Sequence, residues 1–166
     1  RAIRFPEEKV RSTGRGAIGV TGIDVNNGED EVVGMICVNK GDTSKTVLVV
    51  SANGYGKRTP LIDEDGEDVY RITNRGGKGV KTINVTVKTG KLVGILDVTE
   101  KEDLIITCES GITLRTSIST IKVAGRNTQG VILIRLDAKD AIAAISKIEE
   151  QDEENTTEEI TDTNET

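Results

Sequence analysis

The stretch Arg75-Gly76-Gly77-Lys78-Gly79-Val80 is a basic, glycine-rich segment that leads into an apolar alternation over residues 80–87. Three glycines and two cations within six residues cannot form a buried strand, so the segment is predicted to be a turn that presents positive charge. The same frame recurs as Arg15-Gly16-Ala17-Ile18-Gly19-Val20 and as Arg126-Asn127-Thr128-Gln129-Gly130-Val131. In each copy Gly follows Arg by four residues, Val by five and Ile by eight. This pattern indicates an internal repeat.

The spacing of the repeat predicts the fold. The three arginines are 60 and 51 residues apart, and Val33-Gly34-Met35 and Val93-Gly94-Ile95 keep the same phase. This length suits a four-stranded propeller blade and is too long for a helical repeat of about 34 residues. The apolar residues are mainly Val, Ile and Leu, which favour strands. The sequence therefore predicts an all-β, propeller-like fold of about three related four-stranded antiparallel blades, with the first blade incomplete.

Turn signals such as Asn53-Gly54 and Ser110-Gly111 divide the chain into short strands. Residues 137–148 fit either a helix with Asp137 as N-cap or a strand in register with residues 31–38 and 91–98, and the register favours the strand. The end of a strand is expected at residues 1–5, and the other strands at residues 19–25, 31–39, 45–52, 56–61, 79–88, 91–98, 104–108, 112–117 and 130–136.

Composition excludes several kinds of chemistry. The chain has no histidine, which excludes a Ser-His-Asp or Cys-His nucleophile, a His-ligated metal and a His general base. Cys37 and Cys108 lie in apolar runs without CxxC spacing, so both are expected to be small buried side chains in a reducing compartment. No signal sequence and no apolar run near 18 residues is present, so neither export nor a membrane span is expected. The start at Arg1, within a repeat, indicates a piece of a longer chain.

Charge divides the chain into two parts. The net charge is −6, yet residues 149–166 hold nine acids and no base, so residues 1–148 carry 19 acids against all 22 cations. We therefore expect a folded domain over residues 1–148 and a disordered acidic tail over residues 149–166. Two interpretations of the tail stay open: a solubilising terminus, or a polyanion that competes with nucleic acid for the basic body.

Cations recur at equivalent positions, and rows of charge suit a phosphate backbone, which they bind without regard to base sequence. Glycines beside the cations would let a phosphate reach backbone N–H groups. Aromatic residues make up only 2% of the chain, so duplex DNA is favoured over a stacked single strand. The alternative is that these cations are solvated surface or that each arginine braces its own turn. The candidate DNA contacts are Arg4, Arg15, Lys57, Arg58, Arg75, Gly76, Gly77, Lys78, Gly79, Arg115 and Arg126.

Four blocks carry a resemblance to a known family: Asn53-Gly-Tyr-Gly-Lys-Arg-Thr-Pro-Leu61, Tyr70-Arg71, Arg75–Val80 and Gly125–Val131. They resemble the last blades of the C-terminal domain of DNA gyrase A, and the likeness runs from Arg1 to about Ile148. The resemblance implies a β-pinwheel, six-bladed in the family, whose basic rim wraps duplex DNA. The family's first-blade box reads Gln-Arg-Arg-Gly-Gly-Lys-Gly. Only the last five residues agree at 73–79, which implies a box-like turn of a later blade.

The resemblance implies a non-catalytic DNA-wrapping domain that directs ATP-dependent negative supercoiling by a type IIA topoisomerase. No catalytic residue, metal or cofactor is expected in this chain, because ATP and magnesium would bind elsewhere in the parent enzyme. The implied partners are duplex DNA and, in an A2B2 heterotetramer, the rest of gyrase A together with gyrase B. The implied location is the cytoplasm, at the nucleoid. The alternatives are the equivalent domain of topoisomerase IV and a propeller-type protein-interaction module.

Overall fold

The computed structural model describes residues 1–149, which form two antiparallel β-sheets. In chain order the strands are β1 (Thr46–Ser51), β2 (Tyr55–Pro60), β3 (Leu92–Val98), β4 (Asp103–Cys108), β5 (Thr113–Ser117), β6 (Val131–Ile132) and β7 (Ile142–Ile148). Short 3-10 turns occupy Glu7–Lys9, Asn26–Gly28 and Ile118–Thr120. No helix in this range is long and apolar enough to span a membrane. The predicted all-β class is confirmed. Apart from Glu149, the predicted acidic tail lies outside the described residues.

The first sheet has the strand order β3-β1-β2-β6. β1 and β2 form a hairpin through the predicted turn at Asn53-Gly54, where Gly54 adopts a φ of +85°. β3 returns to pair antiparallel with the other edge of β1, with Thr46 opposite Val98. β1 thus lies between β2 and β3, and residues Val47 to Ser51 are all buried.

The second sheet has the order β5-β4-β7, and its hairpin turns at the predicted Ser110-Gly111. The strand prediction for the ambiguous segment is confirmed for Ile142–Ile148, which pairs with β4. Residues 137–140 form a turn instead, in which the Asp140 N–H donates to the Asp137 carbonyl at 3.1 Å. The strand therefore begins five residues later than the pattern indicated.

The two sheets repeat one plan. In each, a hairpin is followed by a basic turn and then by a strand that pairs with the first hairpin strand. We call residues 1–39, 40–99 and 100–149 the first, second and third units, and residues 15–20, 75–80 and 126–131 the first, second and third turns. The residues around each turn also pair with the preceding unit: Val80 with Ala2, and Val131 with Gly56. Successive units are thus interlocked through their backbones.

Four expected strands do not form, and the first of them, residues 1–5, contributes only isolated bridges at Ala2 and Arg4. Residues 19–25 and 31–39 are irregular, and residues 79–88 contribute only an isolated bridge at Val80. Residues 31–38 correspond in the repeat to β3 and β7, each of which pairs with its own hairpin. Within residues 1–149 no strand lies beside residues 31–38 in the position that β1 holds beside β3. Apolar alternation without an adjacent partner did not produce a strand.

The core lies on both sides of β1, since successive side chains of a strand point to opposite faces. Leu48 and Val50 pack with Leu104 and Ile106 of the second sheet. Val47 and Val49 belong to a second cluster on the opposite face, which includes Leu61, Tyr70 and Ile83. Each fully buried aliphatic side chain contributes about 1.5–3 kcal/mol to the free energy of unfolding. β1 is therefore the central element of the described structure.

The two cysteines differ in their exposure to solvent. Cys108 is buried as predicted, and burial raises the pKa of its thiol. The prediction for Cys37 is wrong, because Cys37 is exposed on the irregular segment 31–39. Both thiols are free.

One repeat position is always glycine and allows the backbones of consecutive units to approach closely. Gly19, Gly79 and Gly130 occupy the same position in the three turns, and all have positive φ. A Cβ on Gly79 would collide with the Ala2 carbonyl, and one on Gly130 with the Gly56 carbonyl. A Cβ on Gly19 would meet no atom within 4 Å. This glycine is needed wherever a turn docks on a preceding unit.

We predict that Gly130→Ala lowers the free energy of unfolding more than Gly19→Ala. Both substitutions place a side chain at positive φ, which costs about 1–3 kcal/mol. Gly130→Ala also separates the paired backbones, at a further cost of about 1–3 kcal/mol. Urea unfolding of the two variants measures the difference. Equal losses of unfolding free energy in the two variants would contradict a close approach of the Gly130 and Gly56 backbones.

Candidate nucleic-acid interface

Each of the later turns is bonded to the unit before it. In the second turn the Gly76 N–H donates to the Gly22 carbonyl at 2.6 Å, and the Gly77 carbonyl accepts from the Asp24 N–H at 3.0 Å. In the third turn the Thr128 carbonyl accepts from the Asn84 N–H at 3.0 Å, which is the equivalent bond. The basic turns therefore form the junctions between units.

The arginines of these turns also reach back by one unit. Arg75 donates from Nη1 to the Thr21 carbonyl at 3.0 Å and from Nε to the Lys9 carbonyl at 3.1 Å. Arg126 donates from Nη1 to the Lys81 carbonyl at 3.2 Å. Thr21 and Lys81 each lie six residues after the arginine of their own turn, so the contact repeats. Both guanidinium groups remain partly exposed, and their contact with phosphate stays a prediction.

Lys57 and Arg58 are buried, which does not support their assignment as DNA contacts. The Lys57 side chain is completely buried and donates from Nζ to the Gly125 carbonyl and, at 2.7 Å, to the Arg126 carbonyl. Arg58 donates from Nε to the Ile121 carbonyl at 2.8 Å and pairs with Glu100. Buried cations need such acceptors because they have lost their water. Their role in the structure is to hold the segment that carries the third turn.

Burial changes the ionisation of Lys57. Desolvation, followed by the repulsion of Arg126, lowers the pKa of Lys57 to about 8. The amine thus stays protonated at neutral pH and loses its charge well below the usual range of a lysine.

Arg4 and Arg115 occupy the position of Arg58 in the other two units. Arg4 is mostly covered; it pairs with Asp68 at 2.9 Å and donates to the Tyr70 carbonyl at 3.4 Å. Arg115 lies on the edge strand β5, where its side chain is 65% exposed and pairs with Asp103 at 2.6 Å. Of these three equivalent arginines, only Arg115 presents most of its surface to solvent.

The three glycines of the second turn serve mainly contacts within the protein. The Gly76 N–H is bonded to Gly22, and Gly79 is packed against Ala2. A Cβ on Gly77 would meet only an ordinary contact, 3.6 Å from Ile3 Cδ1. The expectation that all three cradle a phosphate is therefore not supported for Gly76 and Gly79, while for Gly77 it stays a prediction.

Besides Arg115, two further predicted positions hold exposed cations, Arg15 and Lys78. A further set at equivalent positions was missed: a cation lies four residues before the arginine of each turn. These three cations, which we call the outer row, are Arg11, Arg71 and Lys122. All three are exposed, and within residues 1–149 none of their side chains has an ion pair or hydrogen bond. The same repeat frame that revealed the turns would have found them.

For two cations of the outer row, Arg71 and Lys122, the backbone explains why they face solvent. Arg71 follows buried Tyr70, and Lys122 follows buried Ile121. The backbone of the next residue bridges to the preceding unit, Ile72 to Arg4 and Val123 to Arg58. The buried side chain before each cation and the backbone bridge after it thus anchor the segment, while the cation itself stays exposed. In the described range no group of three or more His, Cys, Asp or Glu side chains could hold a metal. The exposed cations of the outer row can bind anions through their charge.

Known proteins that resemble this chain share its repeated all-β architecture. The family model described as DNA gyrase C-terminal domain, beta-propeller, matches residues 1–39, 45–99 and 102–149. The chain is 45% identical over 160 residues to DNA gyrase A of Staphylococcus aureus strain MRSA252 and 44% identical over 156 residues to that of strain NCTC 8325. These alignments cover 96% and 94% of this chain, which spans 17% of the length of either relative.

Two solved structures show the same fold. The C-terminal domain of DNA gyrase A matches 86% of this chain and 45% of its own with a TM-score of 0.66 at 24% identity. The C-terminal domain of DNA topoisomerase IV matches 87% of this chain and 42% of its own with a TM-score of 0.67 at 14% identity.

We predict that Lys57→Met lowers the free energy of unfolding at pH 7 by about 1–3 kcal/mol, because two carbonyls lose their donor. Between about pH 8 and 10 the unfolded chain binds a proton at Lys57 that the folded chain has released, so wild-type stability gains an upward slope with pH. The difference between wild type and Lys57→Met should therefore grow over this window. Chemical unfolding at several pH values measures it, with Lys101→Met as the exposed control. A flat or shrinking difference would contradict the lowered pKa.

Proposed function

Because the chain belongs to the DNA gyrase C-terminal domain family of β-propellers, we propose that it is a non-catalytic domain that binds and wraps duplex DNA. In the whole protein it would direct ATP-dependent negative supercoiling, with the rest of gyrase A and with gyrase B as partners in an A2B2 assembly. ATP and magnesium would bind outside this chain, and the location would be cytoplasmic. The sequence relatives named above are gyrase proteins, which favours gyrase over topoisomerase IV.

The observation that carries this proposal is the outer row. Arg11, Arg71 and Lys122 are exposed cations at one position in three consecutive units, and no acid within residues 1–149 pairs with them. Lysine and arginine side chains that are ordinary surface have no reason to keep the phase of a repeat. A line of phosphates does recur at regular intervals, and cations that neutralise it release condensed counterions.

Wrapping requires several such contacts. Bending 20–30 base pairs of DNA by 40–90° costs on the order of 1–6 kcal/mol. A single exposed cation supplies only part of this, whereas a row that continues from unit to unit distributes the contacts along the bend. Arg15, Lys78 and Arg115 add exposed charge to the same chain. No single residue is expected to be essential.

We predict that the double variant Arg71→Gln with Lys122→Gln weakens binding to unrelated duplex sequences equally. The slope of log K against log salt should fall by roughly two, since each lost phosphate contact removes about 0.9. The matched control is Lys91→Gln with Lys101→Gln, which removes the same charge from exposed positions outside the row. Fluorescence anisotropy titrations from low to moderate salt measure both quantities. An equal loss in the control would assign binding to net charge alone.

Wrapping itself is tested by ligating nicked circular plasmid in the presence of the chain and reading the linking number on a gel. We expect a shift of one sign, larger when residues 149–166 are removed if the acidic segment competes with DNA. Binding without any shift would contradict wrapping by this chain. Absence of DNA binding by the folded chain would favour the protein-interaction alternative.

A further inference from the structure

The turn arginines make the same kind of contact at both described junctions. Arg75 and Arg126 each donate to the carbonyl six residues after the preceding turn arginine. A side chain whose role is to bind phosphate does not need to donate to this carbonyl of the preceding unit. A side chain that holds consecutive units together must reach across the junction, and both of these do.

The cations of the outer row lie on the same segments as these arginines. Arg71 is four residues before Arg75, and Lys122 is four residues before Arg126. Each segment is also bridged to the preceding unit, at Ile72 and at Val123. The position of one outer-row cation relative to the next therefore depends on how each turn is docked on the unit before it.

The two junctions are secured to different degrees. At the third turn the buried amine of Lys57 also binds the Gly125 and Arg126 carbonyls. At the second turn the residue in the position of Lys57 is Ile3, which offers no donor. There Arg75 supplies two bonds, from Nε and Nη1, where Arg126 supplies one. The second junction thus depends more on its arginine.

We propose that Arg75 and Arg126 are positioning residues: they fix the orientation of each unit on the previous one and thereby set the path of the DNA across the outer row. This inference rests on the proposed DNA-wrapping function. The outer row supplies affinity for DNA. The turn arginines fix the arrangement of the units, which makes the bound DNA wrap with a single handedness. At Arg75 a guanidinium is required because its planar fork places two N–H donors on two carbonyls, which an ammonium group cannot do from one position.

The test uses the full 166-residue chain as wild type and as Arg75→Lys, which keeps the charge and removes the fork. The matched control is Arg135→Lys, an exposed arginine whose side chain makes no hydrogen bond or ion pair within residues 1–149. Three quantities are measured for each: Kd with its salt slope, the thermal midpoint, and the linking-number shift per bound chain at saturation. Arg126→Lys is a second variant in case Arg75→Lys does not fold.

For Arg75→Lys we expect Kd within about threefold of wild type, an unchanged salt slope, and a linking-number shift per bound chain reduced by at least half. Arg135→Lys should match wild type in all three. A residue that only stabilises the fold would lower the thermal midpoint and leave the shift per bound chain unchanged.

Two outcomes overturn the inference alone: a wild-type shift that Arg75→Lys reproduces in full, or a weaker Kd with a smaller salt slope and an unchanged shift per bound chain. The second would make Arg75 a phosphate contact. If the wild-type chain binds DNA without any shift, the wrapping proposal fails and this inference fails with it.

Discussion

Backbone pairing between consecutive units is the constraint on which the rest of the structure depends. β2 would end in an open edge if the third unit did not place Val131 opposite Gly56, and residues 1–5 use Val80 in the same way. An unpaired backbone group buried at such an edge costs as much as a lost hydrogen bond. A single unit is therefore incomplete. The glycine of each docking turn follows from this pairing, since only a residue without Cβ lets the two backbones approach so closely.

The same pairing divides the cations into two groups. Arg58 and Lys57 lie on β2, which the next unit covers, so both side chains are enclosed and their donors meet backbone carbonyls. Arg71 and Lys122 lie on the covering segments, directed away from the sheet, and keep their charge in water. Of these four cations, the two under the covering segment stabilise the junction, while the two on its solvent side are free to bind an anion. The side chains in both groups are lysine and arginine. Whether such a cation is buried at a junction or exposed to solvent depends on where it lies relative to the next unit.

Local signals predicted much of the fold. The turns at Asn53-Gly54 and Ser110-Gly111, the strands that they join and the final strand were all predicted, because hairpins are specified by neighbouring residues. Residues 31–39 were predicted incorrectly, because a strand also needs an adjacent edge, and alternation says nothing about whether one is available. The candidate site was predicted in part: its basic turns were found, whereas the burial of Lys57 and Arg58 was not foreseen and the outer row was missed although it has the same phase.

The sequence by itself determined the repeat, the all-β class, the positions of the basic turns and the residue types along them, because these properties depend on neighbours in the chain. Only the tertiary structure decided which cations face solvent and which are buried, and that the turn arginines bind the preceding unit. Those outcomes depend on contacts between residues about 45–70 positions apart, as between Lys57 and Arg126 or Arg75 and Thr21. A side chain's direction in a strand follows from its register with a neighbour, and the register between units exists only once the units are packed together.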